Sequence, residues 1–238
     1  MAVSVWFVIP AWRRPALSAV CFEQLASVIG TLRAAGVESE AVVIADDENL
    51  DVARSMDFQT LERDNSGLGR KFNDGQEYAG RQGAEWIVPI GSDSFVDPAY
   101  FLPLPKVEVT RTSGMYAMVT ARRMAELKVG WIGAGPRMYH RSVLEPTGFR
   151  PAPDHIMRTI DSHSVRGITR SLGHAIDWEW RDLHPLQYIG FRYPPYITGY
   201  GSLVRTWGVR ERANPWDRLA AVYPPDLVKR VRTLMEAL

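Results

Sequence analysis

The sequence predicts an α/β fold, a mixed and mainly parallel central sheet with helices on both faces. Three observations predict it. The chain opens on VSVWFVIP, a near-continuous apolar run rich in Val and Ile, which suits a strand buried on both faces. Leu17, Val20, Cys21, Leu25, Val28, Ile29 and Leu32 then recur at three- and four-residue spacing, the stripe of an amphipathic helix. A second apolar run, AVVIADD, follows and ends in acids. Strand, helix, strand is a βαβ opening, and its ligands belong at the strands' C-terminal ends.

The remaining elements follow in order. Pro15 suits the first turn of the first helix, and Gly36 is placed to cap it. FQTLE reads as a third strand. NSGLGRKFNDG reads as a glycine-bearing loop entering a helix from about Arg70 to Arg81. EWIVPIG is a fourth strand ending in SDSFVDP. The stretch 103–114, rich in Pro, Thr and Ser, predicts a connection. GMYAMVTARRMAEL predicts a strand passing into a helix, followed by the glycine-rich GWIGAGP and a short helix around HRSVLEP. HAIDWEWRDL and LQYIGFRY have strand-like aromatic content, and PDLVKRVRTLMEAL is an amphipathic C-terminal helix. With no internal repeat, low-complexity tract or clear linker, residues 1–238 read as one domain.

Composition excludes several classes. A chain of 238 residues, 46% hydrophobic with a net charge of +1, is too apolar and too neutral to be disordered. No apolar run approaches the roughly 18 residues of a membrane span. The start, MAVSVWFVIPAW, lacks a basic segment and a cleavage site, so a cytoplasmic location is expected. One cysteine, Cys21, excludes an internal disulfide and a Cys-based zinc site. Charge is unevenly placed. Residues 1–110 hold 9 Lys/Arg against 16 Asp/Glu, residues 111–170 hold 10 against 4, and residues 171–238 hold 9 against 7. Only four of the 28 cations are lysine, and arginine gives planar, bidentate contacts to phosphate.

Acids gather at the strand ends: Asp46 and Asp47 after the second, Asp93 and Asp97 after the fourth. Bringing carboxylates together is costly unless they bind a metal or a ligand, although any one Asp can simply cap a turn. The five histidines, His140, His155, His163, His174 and His184, contain no H-x-x-x-H pair, so zincin-like chemistry has no support. There is no G-x-S-x-G elbow, SGLGRK lacks P-loop spacing, and GWIGAGP lacks the context of a dinucleotide fingerprint. Aromatics are dense from Trp178 to Trp216. Those in YPPYITGYGS, a turn-rich stretch, could stack on a sugar or a nucleobase.

Four segments in order resemble the nucleotide-binding half of a family 2 glycosyltransferase with the GT-A fold, a Rossmann-type sandwich. VSVWFVIPAWRRP is similar to that family's first strand and Pro-x-x-x-Arg turn, implying donor contacts at Pro10 and Arg13. ADDENLD keeps the Asp-Asp-x-x-x-Asp spacing at Asp46, Asp47 and Asp51, where an Asp meets the base or ribose. NSGLGRKFNDG resembles its Asn-x-Gly loop through Asn65, Gly67, Asn73 and Gly75, with Arg70 or Lys71 facing the diphosphate. EWIVPIGSDSFVDP resembles the strand that delivers the Asp-x-Asp metal motif, at Ser92 and Asp93. Gly91 and Ser94 replace that motif's other acids, and Phe72 replaces the usual Arg of the loop.

The likeness continues through GAGPRMYHRSVLEPTGF to RTIDSHSV. There Asp161 takes the position of the catalytic base, with Asp154 as its rival and Ile160 in place of the preceding Glu. The resemblance implies a Mn²⁺ or Mg²⁺ ion at Asp93, completed by His184. It also implies a nucleotide-sugar donor, a UDP-sugar first, held by residues 1–110. An inverting transfer to an acceptor on residues 111–238 follows, since a carboxylate suits the face opposite the departing diphosphate. Candidate acceptors are a hydroxymethylated DNA base, as for enzymes of the phage type, a glycan, a protein hydroxyl or a small molecule. A phage enzyme would act in the host cytoplasm. The same scaffold also admits a nucleotidyltransferase acting on a sugar phosphate, although AWRRPA has the arginines of its loop without the glycines. The third reading is a degenerate GT-A binding module.

Overall fold

The structure, a computed structural model, describes residues 3–121, 123–128, 137–157, 160–183, 186–191 and 209–237. Strand β1 (Ser4–Pro10) leads into α1 (Pro15–Ala34), β2 (Glu38–Ala45), the short α2 (Asn49–Ser55), β3 (Gln59–Glu62), α3 (Leu68–Arg81) and β4 (Trp86–Pro89). β5 (Ser94–Val96) and a 3-10 turn at Pro98–Tyr100 precede the long β6 (Val109–Val119) and β7 (Arg123–Lys128). β8 (Tyr139–His140), α4 (Arg141–Leu144), a second 3-10 turn at Glu145–Thr147, α5 (Ile160–Leu172), β9 (Trp178–Leu183), β10 (Tyr188–Phe191), β11 (Val209–Ala213), α6 (Pro215–Ala220) and α7 (Pro225–Glu236) complete the described chain.

β1 lies at the centre of a parallel core. It pairs in parallel with β2, Val8 opposite Val42, and with β4, Phe7 opposite Val88; β3 extends the same sheet beyond β2. The alternation of strand side chains sorts β1 between two layers. Val5, Phe7 and Ile9 face Phe22, Leu25, Val28 and Leu32 of α1, whereas Trp6 and Val8 face Phe72 and Ala79 of α3 and Ile168 of α5. A Cβ added at Gly75 would stand 2.5 Å from Val8 Cγ1, so α3 seats on the sheet through a glycine. The other side of α1, at Leu17, Val20 and Cys21, joins Phe95, Phe191, Trp216, Leu219 and Val231 in a third cluster. With two apolar faces, and contrary to the sequence reading, α1 is long and apolar enough by length and composition to cross a bilayer; 56% of that window is buried here, as in the core helix of a folded domain.

The C-terminal half differs from its sequence reading in two places. The stretch expected to be a connection ends as β6, and the helix expected after GMYAMVT is instead β7, with Met124 opposite Val119 in an antiparallel hairpin. β6 also pairs in parallel with β9 and β10, and β7 pairs antiparallel with β11, so one long strand joins the parallel core to an outer, mainly antiparallel sheet. Helix α2 lies where the sequence suggested only the acidic end of a strand.

Candidate functional site

β1, β2 and β4 run in the same direction, so the segments leaving them meet at one sheet edge. After β1 the backbone turns sharply: Arg13 and Arg14 both have φ 56°, the left-handed region that costs a residue with a Cβ about 1–2 kcal/mol. Asp47 holds this turn. Its Oδ2 accepts from the Arg13 N–H at 2.7 Å, and its Oδ1 accepts from the Asn49 N–H at 3.0 Å and Asn49 Nδ2 at 2.6 Å. Asn49 Nδ2 also donates to the Arg13 carbonyl at 3.1 Å. Burial pushes the Asp47 carboxyl up. The hydrogen bonds from Arg13 and Asn49, with Lys71 nearby, outweigh it and hold the group below its ordinary range. The Arg13 guanidinium lies over the Trp12 ring, 4.3 Å from its centroid. Asp51 sits on α2, paired with Arg54.

A second chain of contacts crosses the same edge. Lys71, on the inward face of α3, is 3% exposed. Its Nζ donates to the Ala11 carbonyl at 2.8 Å and to Asn65 Oδ1, while Asn65 Nδ2 donates to both oxygens of Asp46 at 2.7 and 2.9 Å. Burial lowers the Lys71 pKa, and Asp46, Asp47 and Asp64 work against that shift. Pro10, Ala11 and Trp12 form one wall of a cleft of about 90 Å³ beside these groups. Asn65, Gly67, Leu68 and Lys71 form the other, and Met157 closes it.

The glycine–asparagine loop packs against the segment 150–157. The first amides of α3 are taken by the segment 150–157: Gly69 N–H donates to the Ile156 carbonyl at 2.8 Å and Arg70 N–H to the Asp154 carbonyl at 2.9 Å. A Cβ at Gly67 would stand 2.0 Å from Asp154 O, and one at Gly69 would stand 2.1 Å from Pro153 O. Asn73 is 1% exposed, and its Nδ2 donates to Ala152 O at 2.6 Å and Asp154 Oδ1 at 2.7 Å. Arg150 braces the same junction through Asp74, Glu77 and Asp154. Gly67 thus lines the cleft and admits the segment, while Asn73 pins it. Arg70 is half-exposed, 4.0 Å from carboxylate oxygens of Asp64 and Asp74.

At the end of β4, Asp93 meets Arg14. Arg14 Nη1 lies 3.2 Å from Asp93 Oδ2, with the two side chains 17% and 13% exposed. A Cβ at Gly91 would stand 2.8 Å from Asp93 Oδ1, so the glycine leaves the carboxylate the space that the missing acid would fill. Ser92 is buried beside it. Beneath lies Cys21, fully buried, its thiol pushed up by burial and then by the Asp93 charge. Asp97 caps the 3-10 turn by accepting from the Ala99 N–H at 2.8 Å. Among the described residues no three His, Cys, Asp or Glu side chains are grouped so as to hold a metal ion. Asp93, the carboxylate that the resemblance gives to a divalent ion, is thus already joined to a guanidinium, and such an ion takes several oxygen ligands. Asp161 is the second residue of α5, and its side chain lies outside the described residues, as does His184 altogether. Asp154 is held by Arg150 and Asn73.

One cation of this edge, Arg14, was not singled out as a binding residue in the sequence, whereas Lys71 stood there as the alternative to Arg70. Both left a signal. Counting four residues on from Pro10 reaches Arg14 rather than Arg13, and Lys71 falls on the inward stripe of Leu68, Phe72 and Gly75.

No family model and no curated protein matches the sequence. Solved structures do. Residues 1–349 of S. aureus TarS, in complex with UDP, superpose with a TM-score of 0.57 at 15% identity, over 81% of this chain and 61% of that one. Glucosyl-3-phosphoglycerate synthase from Mycobacterium tuberculosis, also in complex with UDP, superposes with a TM-score of 0.50 at 12% identity, over 96% and 80%. The chain thus spans about three fifths of the TarS structure it matches. At such identities the likeness defines architecture alone, and the architecture here is a GT-A-like α/β sandwich.

Proposed function

We propose that the chain is a glycosyltransferase that moves a sugar from a nucleotide-sugar donor to an acceptor hydroxyl. The observation that carries this reading is the gathering of Asp46, Asp47 and Lys71 around a narrow apolar cleft at the C-terminal ends of β1 and β2. The GT-A-like fold shared with two UDP-bound structures supports it. In this reading the base enters between Pro10–Trp12 and Leu68, and Asp46 and Asn65 meet its polar edge or the ribose. The diphosphate lies toward the turn at Arg14, so residues 1–110 serve the donor and residues 111–238 the acceptor.

Asp161, at the start of α5, is the base in this reading. It takes the proton from the acceptor hydroxyl as that oxygen bonds to the anomeric carbon, and the bond to the nucleoside diphosphate breaks on the opposite face. The configuration inverts. The cations at the strand edge stabilise the charge that develops on the leaving group.

A thermal-shift panel of nucleoside diphosphates and nucleotide sugars tests the reading, with UDP and UDP-sugars expected to raise Tm. Assays for sugar transfer and for pyrophosphate release from a nucleoside triphosphate plus a sugar phosphate run beside it. Silence across the whole panel, or pyrophosphate release without transfer, overturns it.

A further inference from the structure

We infer that the cation facing the donor diphosphate is the Arg14 guanidinium and that donor binding needs no divalent metal. The inference rests on the donor-site reading above and concerns the same edge. A divalent ion here would have Asp93 as its protein carboxylate, and that carboxylate is already engaged: Arg14 Nη1 lies 3.2 Å from Asp93 Oδ2. Adding a doubly charged ion to the same oxygens would set it against a guanidinium a few ångströms away, a repulsion that grows as the site dries. Gly91 stands in place of an acid, and among the described residues no group of three or more His, Cys, Asp or Glu that could hold a metal ion forms at Asp93.

The arginine is built for the task. It stands on two consecutive left-handed residues, Arg13 and Arg14, a strained turn that persists because Asp47 and Asn49 clamp it. A guanidinium carries five N–H donors, and its bond to Asp93 occupies one of them. The others, on a side chain only 17% exposed, suit the paired oxygens of a phosphate in the bidentate manner of arginine. Asp93 then acts as a positioning residue that aims Arg14.

The test is calorimetric titration of the full chain with UDP and with uridine, in EDTA and in Mn²⁺. Wild-type protein is expected to bind UDP with a Kd that changes less than about threefold between the two conditions. Arg14→Ala should weaken UDP by about tenfold or more and leave uridine unchanged, Arg14→Lys should recover part of the loss, and Asp93→Asn should cost less than Arg14→Ala. UDP binding that vanishes in EDTA and returns with Mn²⁺ overturns the inference and leaves the donor reading standing. So does a larger loss for Asp93→Asn than for Arg14→Ala. No UDP binding under any condition overturns both. The wild-type comparison holds even where a variant fails to fold.

Discussion

Lys71 Nζ lies 2.8 Å from the Ala11 carbonyl oxygen, joining the inward face of α3 to the exit of β1. Replacing this buried ammonium by methionine keeps the volume but leaves Ala11 O and Asn65 Oδ1 without their donor. Hydrogen bonds to charged groups are worth about 1.5–3 kcal/mol, and the released desolvation cost of Lys71 offsets part of the loss. Lys71→Met is expected to lower stability by about 1 kcal/mol and to weaken UDP binding by about tenfold. Urea denaturation and calorimetry measure the two; unchanged UDP affinity would remove Lys71 from the donor site.

The N-terminal βαβ unit was legible because each element carries a pattern of its own, an unbroken apolar strand or a helical stripe. β6 was not. In VTRTSGMYAMV the signal is period two, diluted by Thr, Ser and Arg, and the strand gains its partners from residues far along the chain, at Trp178 and Ile189. The acids at the sheet edge were equally legible as residues and opaque as roles. Asp47 serves a main-chain N–H 34 residues away, and Asn73 serves a carbonyl 79 residues away. Neither partner is a side chain that a motif could record. Arg13 and Arg14 are adjacent and chemically identical, so only the left-handed turn decides which one reaches Asp93.

Two glycines should respond to alanine in opposite ways. At Gly30, inside α1, an added Cβ meets nothing within 4 Å, and alanine should stabilise the protein by about 0.5–1 kcal/mol through helix propensity. At Gly69 the same methyl would meet the Pro153 carbonyl at 2.1 Å, a backbone atom that moves only with its segment. Gly69→Ala should destabilise by about 1–3 kcal/mol or more. Thermal melts of the two variants decide it, and a stable Gly69→Ala protein would show that the 150–157 segment does not need this contact.

Acid should loosen that same junction. Burial pushes the Asp74 carboxyl up, but hydrogen bonds from Arg150 and Arg63 outweigh it, and the group sits below its ordinary value. The unfolded chain therefore binds this proton first as pH falls. Asp74 contributes its full stabilisation above the ordinary Asp pKa of about 3.9 and loses it as pH falls through the lower folded value. Asp47, held down by Arg13 and Asn49 against its burial, adds to the same window. Urea midpoints taken from about pH 6 to about pH 2 should fall steeply below about pH 4, and Asp74→Asn should make that fall shallower. An identical slope in the variant would place the acid sensitivity elsewhere.

Asp161→Asn separates chemistry from binding. The substitution keeps size and polarity at the second residue of α5 but removes the basic oxygen. If this carboxylate takes the acceptor proton, kcat should fall by about 10²–10⁴-fold while UDP binds as before. Asp154→Asn serves as the comparison. Asp154 accepts from Arg150 and Asn73 at the junction with α3, so its loss should lower Tm and act on kcat far less. Reversal of that pattern, with Asp154→Asn inactive and Asp161→Asn near wild type, would move the base to the segment that Arg150 braces.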